Sequence, residues 1–169
     1  HLEYYRGDTI GWSEVEASSE ELNSGTRGVF MGGSADGAGV FNTIDYITIS
    51  TLGNATDFGD FSSTTQEGGG FGSPTRGFHF GGDPALNTIE YVTFASTGNP
   101  TDFGDTTGDQ SKHGIGGADR TRGIMYLGWA NPARVNTIEY ITTASTGNAV
   151  DFGDLTDNCY DGAGMTSST

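Results

Sequence analysis

Several residue types are scarce in this 169-residue chain, and each scarcity excludes a class of protein. Cys159 is the only cysteine, so the chain cannot close an internal disulfide. No apolar run approaches the roughly 20 residues of a membrane-spanning helix, and we therefore expect no membrane insertion. Lysine and arginine total 7 against 22 aspartates and glutamates, for a formal net charge of −15. Such a surface lacks the clustered cations that nucleic acid binding requires.

Glycine and aromatic residues are abundant. The 29 glycines follow no collagen period and would suggest disorder, but 10 Phe, 7 Tyr and 2 Trp supply large apolar side chains that disordered segments lack. A chain of this length predicts one domain with a single core, at roughly 100–200 residues per domain. We therefore expect a folded, turn-rich, all-β protein.

Three internal repeats organise the chain. Their Asn-Thr-Ile-acid-Tyr runs begin at Asn42, Asn87 and Asn136. An Asp-Phe-Gly-Asp run starts 15 residues after each of these asparagines, so no insertion is tolerated between the two runs. A Thr-Arg-Gly run precedes each asparagine at 16, 12 or 15 residues, and the variable distance marks a surface loop. The unit recurs after 45 and then 49 residues, which is typical of a propeller or solenoid repeat.

The repeats divide a single domain, residues 1–169, into five parts. Full repeats are predicted at 22–62, 63–108 and 109–157, with partial repeats at 1–21 and 158–169. The partial repeats leave strand edges that a propeller would pair. We expect these edges to meet each other, closing a ring of about four blades, or to meet a neighbouring chain.

Each full repeat predicts four strands. In the middle repeat they lie at 68–72, 76–80, 89–95 and 102–105, and a Gly-Asn dipeptide predicts a tight turn between the last two. The third strand is apolar on both faces, which indicates a sheet that is covered on both sides, as in stacked blades. The glycine-rich first strand suits strands that crowd near a propeller axis.

The double glycine that ends the second strand, Gly32-Gly33 and Gly81-Gly82, resembles the kelch family of β-propellers. The pattern departs from kelch because a distant Phe, rather than a nearby Trp, follows the tyrosine. The successive Thr-Arg-Gly, Asn-Thr-Ile-Asp/Glu-Tyr and Asp-Phe-Gly-Asp runs, over about residues 24–165, look like a glycine-rich, kelch-like repeat of marine bacteriophages, including those of cyanobacteria.

The resemblance implies an all-β, kelch-like propeller or propeller fragment of four-stranded blades. It also implies a virion-associated or extracellular protein, such as a tail fibre or a surface decoration. Its expected partners are other virion proteins or copies of itself, and a host-surface glycan is a further candidate. The resemblance transfers no catalytic residues.

Nine repeat residues are predicted to be structural. The tyrosines and phenylalanines are expected to occupy equivalent buried positions in the three repeats, and the arginines to be structural ties rather than a ligand site. A buried arginine needs a carboxylate or turn carbonyls as partners. The nine are Arg27, Arg76, Arg122, Tyr46, Tyr91, Tyr140, Phe58, Phe103 and Phe152. The acids in reach by repeat position are Asp45, Glu90 and Glu139, or Asp60, Asp105 and Asp154.

No motif indicates catalysis. The Asp-Phe-Gly runs match the magnesium-binding element of protein kinases, but a kinase also needs a strand lysine, and Lys112 is the only lysine. The three histidines share no zinc-ligand spacing, and an Asp-x-x-Asp pair supplies a fraction of the about 6–8 oxygens that calcium takes. We therefore predict no enzyme, no metal and no cofactor, and assign no ligand-binding residue.

The strongest departures from the repeat are Trp129 and the loop 130–135. An exposed aromatic there would suit a sugar, but the commoner role is to fill the gap left by the missing second glycine. The function predicted is a non-catalytic structural or adhesion module of a phage particle. The alternative is a carbohydrate-binding lectin of the β-trefoil or β-prism type, since three repeats of this length would also close a three-fold fold. The partial repeats at both ends disfavour a trefoil, and a hydrolase is the third hypothesis.

Overall fold

The structure, a computed structural model, describes residues 2–5, 12–15, 26–84, 86–112, 114–130, 132–158 and 162–166. Every helix or strand element within these residues is a β-strand, which confirms the all-β prediction. The strands form several small sheets in which all pairs are antiparallel. No helix in this part of the chain is long and apolar enough to cross a membrane.

A two-stranded ribbon and a three-stranded sheet come first along the chain. The ribbon pairs β1 (Leu2–Tyr5) with β2 (Trp12–Val15). The three-stranded sheet has the order β3-β4-β5 and supplies the second to fourth strands of the first repeat. Its strands are β3 (Arg27–Ala35), β4 (Gly39–Thr48) and β5 (Thr56–Asp60). The first strand predicted for this repeat precedes Thr26 and lies outside the described residues.

The second and third repeats each form a four-stranded meander. In the second repeat the strands are β6 (Gly69–Gly72), β7 (Arg76–Phe80), β8 (Leu86–Thr93) and β9 (Thr101–Lys112). In the third they are β10 (Ile115–Ala118), β11 (Arg122–Tyr126), β14 (Thr137–Thr142) and β15 (Val150–Asp154). Each strand pairs with the next along this order, so the four strands predicted per repeat are present in both.

The double glycine that ends the second strand has a backbone conformation that residues other than glycine rarely adopt. Gly32 and Gly33 have φ angles of 66° and 119°, and Gly81 and Gly82 repeat these values at 68° and 120°. An L-residue rarely adopts a φ near 120°. The second glycine of the pair is therefore required by the turn.

The third repeat breaks this rule. Gly128 keeps the first angle, at 66°, but Trp129 replaces the second glycine. The chain there enters a short hairpin of β12 (Trp129–Ala130) and β13 (Ala133–Arg134), and β12 pairs with the end of β9. The loop expected from the sequence is thus a short hairpin that extends the sheet of the second repeat, and Trp129 is partly buried rather than exposed.

The third and fourth strands of all three repeats pair around the same β-bulge. The register shifts immediately after the repeat isoleucine, so that one residue of the fourth strand has no partner opposite it. The shifts follow Ile44, Ile89 and Ile138, and the extra residues are Phe58, Phe103 and Phe152. The constant 15-residue interval follows, because an insertion would move the phenylalanine out of the bulge.

Neighbouring sheets pack face to face through two apolar clusters. In the first, Ile44, Phe58 and Phe61 of the first repeat contact Val92 of the second. In the second cluster, Ile89 and Phe103 of the second repeat pack with third-repeat side chains that include Met125 and Ile141. The middle sheet is therefore buried on both faces, as its doubly apolar third strand requires.

The segment 162–166 lies against β10 without being a strand. A Cβ placed on Gly164 would lie 3.2 Å from the Gly116 carbonyl oxygen, just as one placed on Gly116 would lie 2.8 Å from the Gly70 oxygen. The sequence predicted a glycine-rich first strand here. The segment packs where such a strand would lie, but it does not pair with β10 as a strand of the sheet.

We predict that Phe103→Ala lowers the free energy of unfolding by about 3–5 kcal/mol, because it empties a buried site between two repeats. Phe103 is 3 % exposed, whereas the equivalent Phe152 is 48 % exposed and serves as the matched control. Phe152→Ala should cost about 1 kcal/mol or less. Urea denaturation of both variants measures the difference, and equal losses would contradict the packing described here.

Candidate functional site

The invariant repeat residues converge where one repeat meets the next, and we call each such contact a joint. In the first joint, the Gly98 N–H of the second repeat donates to the Phe58 carbonyl oxygen of the first over 2.7 Å. The neighbouring Asn99 Oδ1 accepts from the Asp60 N–H over 3.0 Å. The Gly-Asn turn thus docks on the Asp-Phe-Gly-Asp run of the preceding repeat.

The second joint repeats these contacts between the second and third repeats. The Gly147 N–H donates to the Phe103 oxygen over 2.8 Å, and Asn148 Oδ1 accepts from the Asp105 N–H over 3.1 Å. Ala149 adds a bond from its N–H to the Asp105 oxygen over 2.8 Å, which Pro100 cannot make at the same position of the first joint.

Each joint needs a glycine in the Asp-Phe-Gly-Asp run. A Cβ on Gly59 would lie 2.6 Å from the carbonyl carbon and oxygen of Gly98, and one on Gly104 would lie 2.4 Å from the Gly147 oxygen. These atoms belong to backbone and cannot move aside as a side chain would. The two backbones therefore meet directly, and only glycine allows the approach.

The repeat arginines cross the joints. Arg27 Nη1 donates to the Phe94 oxygen over 2.7 Å, and Arg76 Nη1 donates to the Thr143 oxygen over 2.8 Å; both acceptors belong to the following repeat. Each guanidinium also stacks over the tyrosine of its own repeat, 4.6 Å from the Tyr46 centroid and 4.5 Å from the Tyr91 centroid. These arginines are ties between repeats.

The repeated acids are not the partners of these arginines. Side chains alternate along a strand, so Asp45 and Glu90 point away from the face that carries Tyr46 and Tyr91. The arginines lie on the tyrosine face. The sequence left a carboxylate or turn carbonyls open as the partners of the arginines. In the structure, Arg27 and Arg76 donate to backbone carbonyl oxygens.

Glu139 instead forms a separate contact with the preceding repeat. It is fully buried and accepts from the Thr107 N–H, at 3.1 Å and 3.2 Å to its two oxygens, and from the Thr107 hydroxyl. Burial raises the pKa of Glu139, while the Thr107 donors act to lower it. This role was not predicted, because Thr107 lies outside the recurring runs.

Each repeat tyrosine meets its phenylalanine edge to face. The ring centroids are 5.8 Å apart for Tyr46 and Phe58 and again 5.8 Å for the second pair, and 6.1 Å for the third. The second and third pairs are Tyr91 with Phe103 and Tyr140 with Phe152. The predicted burial holds for Phe58 and Phe103 but is wrong for Phe152, which is 48 % exposed because no repeat covers it. All three tyrosines are half-buried.

After the third repeat the described residues supply only the segment 162–166, which lies against β10 and brings no Gly-Asn turn, so the third repeat's half of a joint is open. Arg122 stacks 4.7 Å from the Tyr140 centroid but is exposed, with no carbonyl acceptor among the described residues. No atom lies within 4 Å of a Cβ placed on Gly153. At the equivalent glycines of the two internal joints, such a Cβ would meet the backbone of the following repeat. We call Arg122, Tyr140, Phe152, Gly153 and Asp154 the trailing face.

The first repeat has the opposite half open. Among the described residues, neither the Gly53 N–H nor the Asn54 side chain makes the hydrogen bond to a preceding repeat that Gly98 and Asn99 make. Ile49 occupies the repeat position of Phe94 and Thr143, whose carbonyl oxygens accept hydrogen bonds from the arginines. Ile47 occupies the repeat position of the buried Val92. We call Ile47, Ile49, Gly53 and Asn54 the leading face.

A cleft of about 440 Å³ lies between β3 and the glycine-rich β6 and β7. Its lining includes Gly70 and Gly77. The equivalent glycines of the next repeat, Gly116 and Gly123, lie against the ring of Phe71. The cleft therefore lies at the position where, one repeat further on, the ring of Phe71 packs between the sheets.

The described residues include no group of three or more His, Cys, Asp or Glu side chains that could hold a metal ion. In comparisons with known proteins, the sequence matches no protein-family model and no curated protein.

We predict that Arg76→Ala destabilises the fold by about 2–3 kcal/mol, because it removes a hydrogen bond from a charged donor and a stacked cation. Arg122→Ala is the matched control, since Arg122 has the tyrosine contact but, in the part of the chain that the structure describes, no carbonyl acceptor. Its cost should stay near or below about 1 kcal/mol. Chemical denaturation of both variants tests this, and equal costs would show that the carbonyl contributes nothing.

A second prediction concerns His79, which is 7 % exposed and lies 4.8 Å, between ring centroids, from Phe61 of the preceding repeat. Burial lowers the pKa of His79 from 6.5 to about 4. Its unfolded form therefore binds a proton first as the pH falls, and stability should decline from about pH 6.5 downward, by roughly 2–3 kcal/mol at about pH 4.5.

His79→Met, which copies Met125 at the same position of the third repeat, should remove this loss. Urea denaturation at about pH 7 and about pH 4.5 gives the change for each protein. The carboxylates that titrate in this range, including Glu90 and Glu139, are common to both proteins and cancel in the comparison. Identical pH profiles would contradict the prediction.

Proposed function

We propose that this chain is a non-catalytic structural or adhesion module of a phage particle, built from kelch-like blades. The observation that carries the proposal is the place at which the residues common to all three repeats make their contacts. The repeat arginine, tyrosine, phenylalanine, glycine and asparagine all act at the joints between repeats. A chain whose recurring chemistry is devoted to joining its own units is suited to a structural role.

The shape of the units supports the blade assignment. Each complete repeat is a four-stranded meander, and the first strands approach backbone to backbone: a Cβ on Gly69 would lie 2.7 Å from the Gly114 carbonyl carbon. Bulky side chains fill the gap between the later strands, where Phe103 and Ile141 belong to one cluster. Sheets that converge at their first strands form wedges, as blades around an axis do. The described strands themselves form no closed ring.

The lectin alternative fits the packing less well. In a β-trefoil or β-prism, three repeats surround one shared core. Here each pair of neighbours has its own cluster, and the middle sheet is buried on both faces. Stacked blades have this property.

The virion assignment is supported by the resemblance of the repeat to kelch-like repeats of marine phages. The surface agrees with it, since a net charge of −15 favours solubility in a crowded extracellular setting. Other virion proteins or further copies of the chain are the proposed partners, and no cofactor is required.

We predict that antibodies against residues 26–158 label intact phage particles from cultures that express the gene, when examined by immunogold electron microscopy. Label confined to fractions without particles would contradict the virion role. A glycan array probed with the purified chain separates the two functions within that role. A structural module should give no saturable binding, whereas an adhesin should bind a defined set of glycans.

A further inference from the structure

We propose that the trailing face of the third repeat binds the leading face of a second copy of this chain, so that copies associate head to tail. The inference rests on the proposed structural role and names its partner. Both internal joints serve as its template, because the two open faces are the two halves of a contact that the chain already makes twice.

The polar groups of the two faces match one to one. On the trailing face, the Phe152 oxygen and the Asp154 N–H stand where Phe58 and Asp60 receive a turn in the first joint. The Gly53 N–H and Asn54 Oδ1 of the leading face are the groups that such a turn supplies.

The arginine completes the match. Arg122 is stacked on Tyr140 in the same way as Arg27 on Tyr46 and Arg76 on Tyr91. Its side chain is therefore already held in the orientation from which the other two reach a carbonyl of the next repeat. The Ile49 carbonyl of a second copy occupies the position of that acceptor.

The apolar groups match as well. Phe58 and Phe103 are buried because Val92 and Ile141 of the following repeat belong to their clusters, whereas Phe152 remains 48 % exposed. Ile47 is the leading-face counterpart of those two aliphatic residues and is half-buried. Docking the faces would cover Phe152 as the internal phenylalanines are covered.

Both open ends also carry an apolar residue where the internal copies have threonine. Leu52, fully exposed, replaces Thr97 and Thr146 before the Gly-Asn turn. At the other end Val150, 52 % exposed, replaces the threonine that begins the fourth strand, Thr56 or Thr101. The threonines at these positions are exposed in both internal joints, so Leu52 and Val150 lie beside the docking contact rather than within it.

The contact is heterologous, so each copy that docks presents the same open face again. Such contacts produce rings where the rotation closes and open chains where it does not. The net charge of −15 per chain opposes association, and screening it should strengthen binding. We therefore expect association that rises with both concentration and salt.

Sedimentation velocity tests the proposal with one charged substitution on each face, Ile47→Glu and Phe152→Glu. The wild type should form dimers and larger species between about 10 µM and about 1 mM, the range of a weak interface, and more so at about 0.5 M salt. Each variant alone should remain monomeric, since one face is blocked. An equimolar mixture should form dimers and stop there, because each variant retains the face that the other lacks.

The control variant is Ala38→Glu, which adds the same charge in the exposed turn between β3 and β4, outside both internal joints. It should associate like the wild type. Asn54→Ala removes only an exposed acceptor and should weaken association by about 3- to 10-fold. This variant keeps the test decisive if circular dichroism shows that either glutamate variant is unfolded.

A wild type that stays monomeric at about 1 mM and high salt would overturn the inference. So would wild-type behaviour of Asn54→Ala, or dimers of either folded glutamate variant alone, since those would require another surface. None of these outcomes depends on whether particles are labelled in the immunogold experiment. A failure of the docking contact is therefore distinguishable from a failure of the virion role.

Discussion

The close approach of two backbones at each joint is the constraint on which the rest of the structure depends. The Gly-Asn turn reaches the preceding repeat at a point where a Cβ on Gly59 or Gly104 would collide with a carbonyl. The turn must therefore arrive at a fixed height above the bulge. That requirement, together with the place of the phenylalanine in its bulge, fixes the length between the repeat asparagine and the Asp-Phe-Gly-Asp run, which is 15 residues in all three repeats.

The sequence allowed the repeat unit and its four strands to be predicted, because alternation and turn chemistry are local signals. The end of β9 was not predicted: it continues to Lys112, pairing with Leu86 of β8 and with β12 of the next repeat. Trp129, which begins β12, stands where the other repeats have their second glycine. The pairing of β12 with β9 joins two repeats, and no pattern within either repeat reveals it.

The partners of Arg27 and Arg76 could not be predicted from the sequence, for a related reason. Repetition made the acids conspicuous, yet backbone carbonyls have no sequence signature and belong to a different repeat. Carbonyls also suit this interface better. An ion pair between repeats would require desolvation of two charges, whereas a carbonyl leaves only the guanidinium to be compensated, and the tyrosine ring beneath it contributes to that. The repeated acids have other surroundings: Asp60 and Asp154 are exposed, and Glu139 is buried against Thr107.

Stability in such an array is mainly a sum of unit and nearest-neighbour terms, so an end unit lacks one neighbour term. The missing term differs at the two ends: the trailing face presents Arg122 and Phe152, and the leading face presents Gly53 and Asn54. A symmetric dimer through either face would place like groups together, two arginines without carbonyls or two turns without a bulge. Only a partner that offers the opposite face supplies every missing contact, and this favours head-to-tail growth over two-fold pairing.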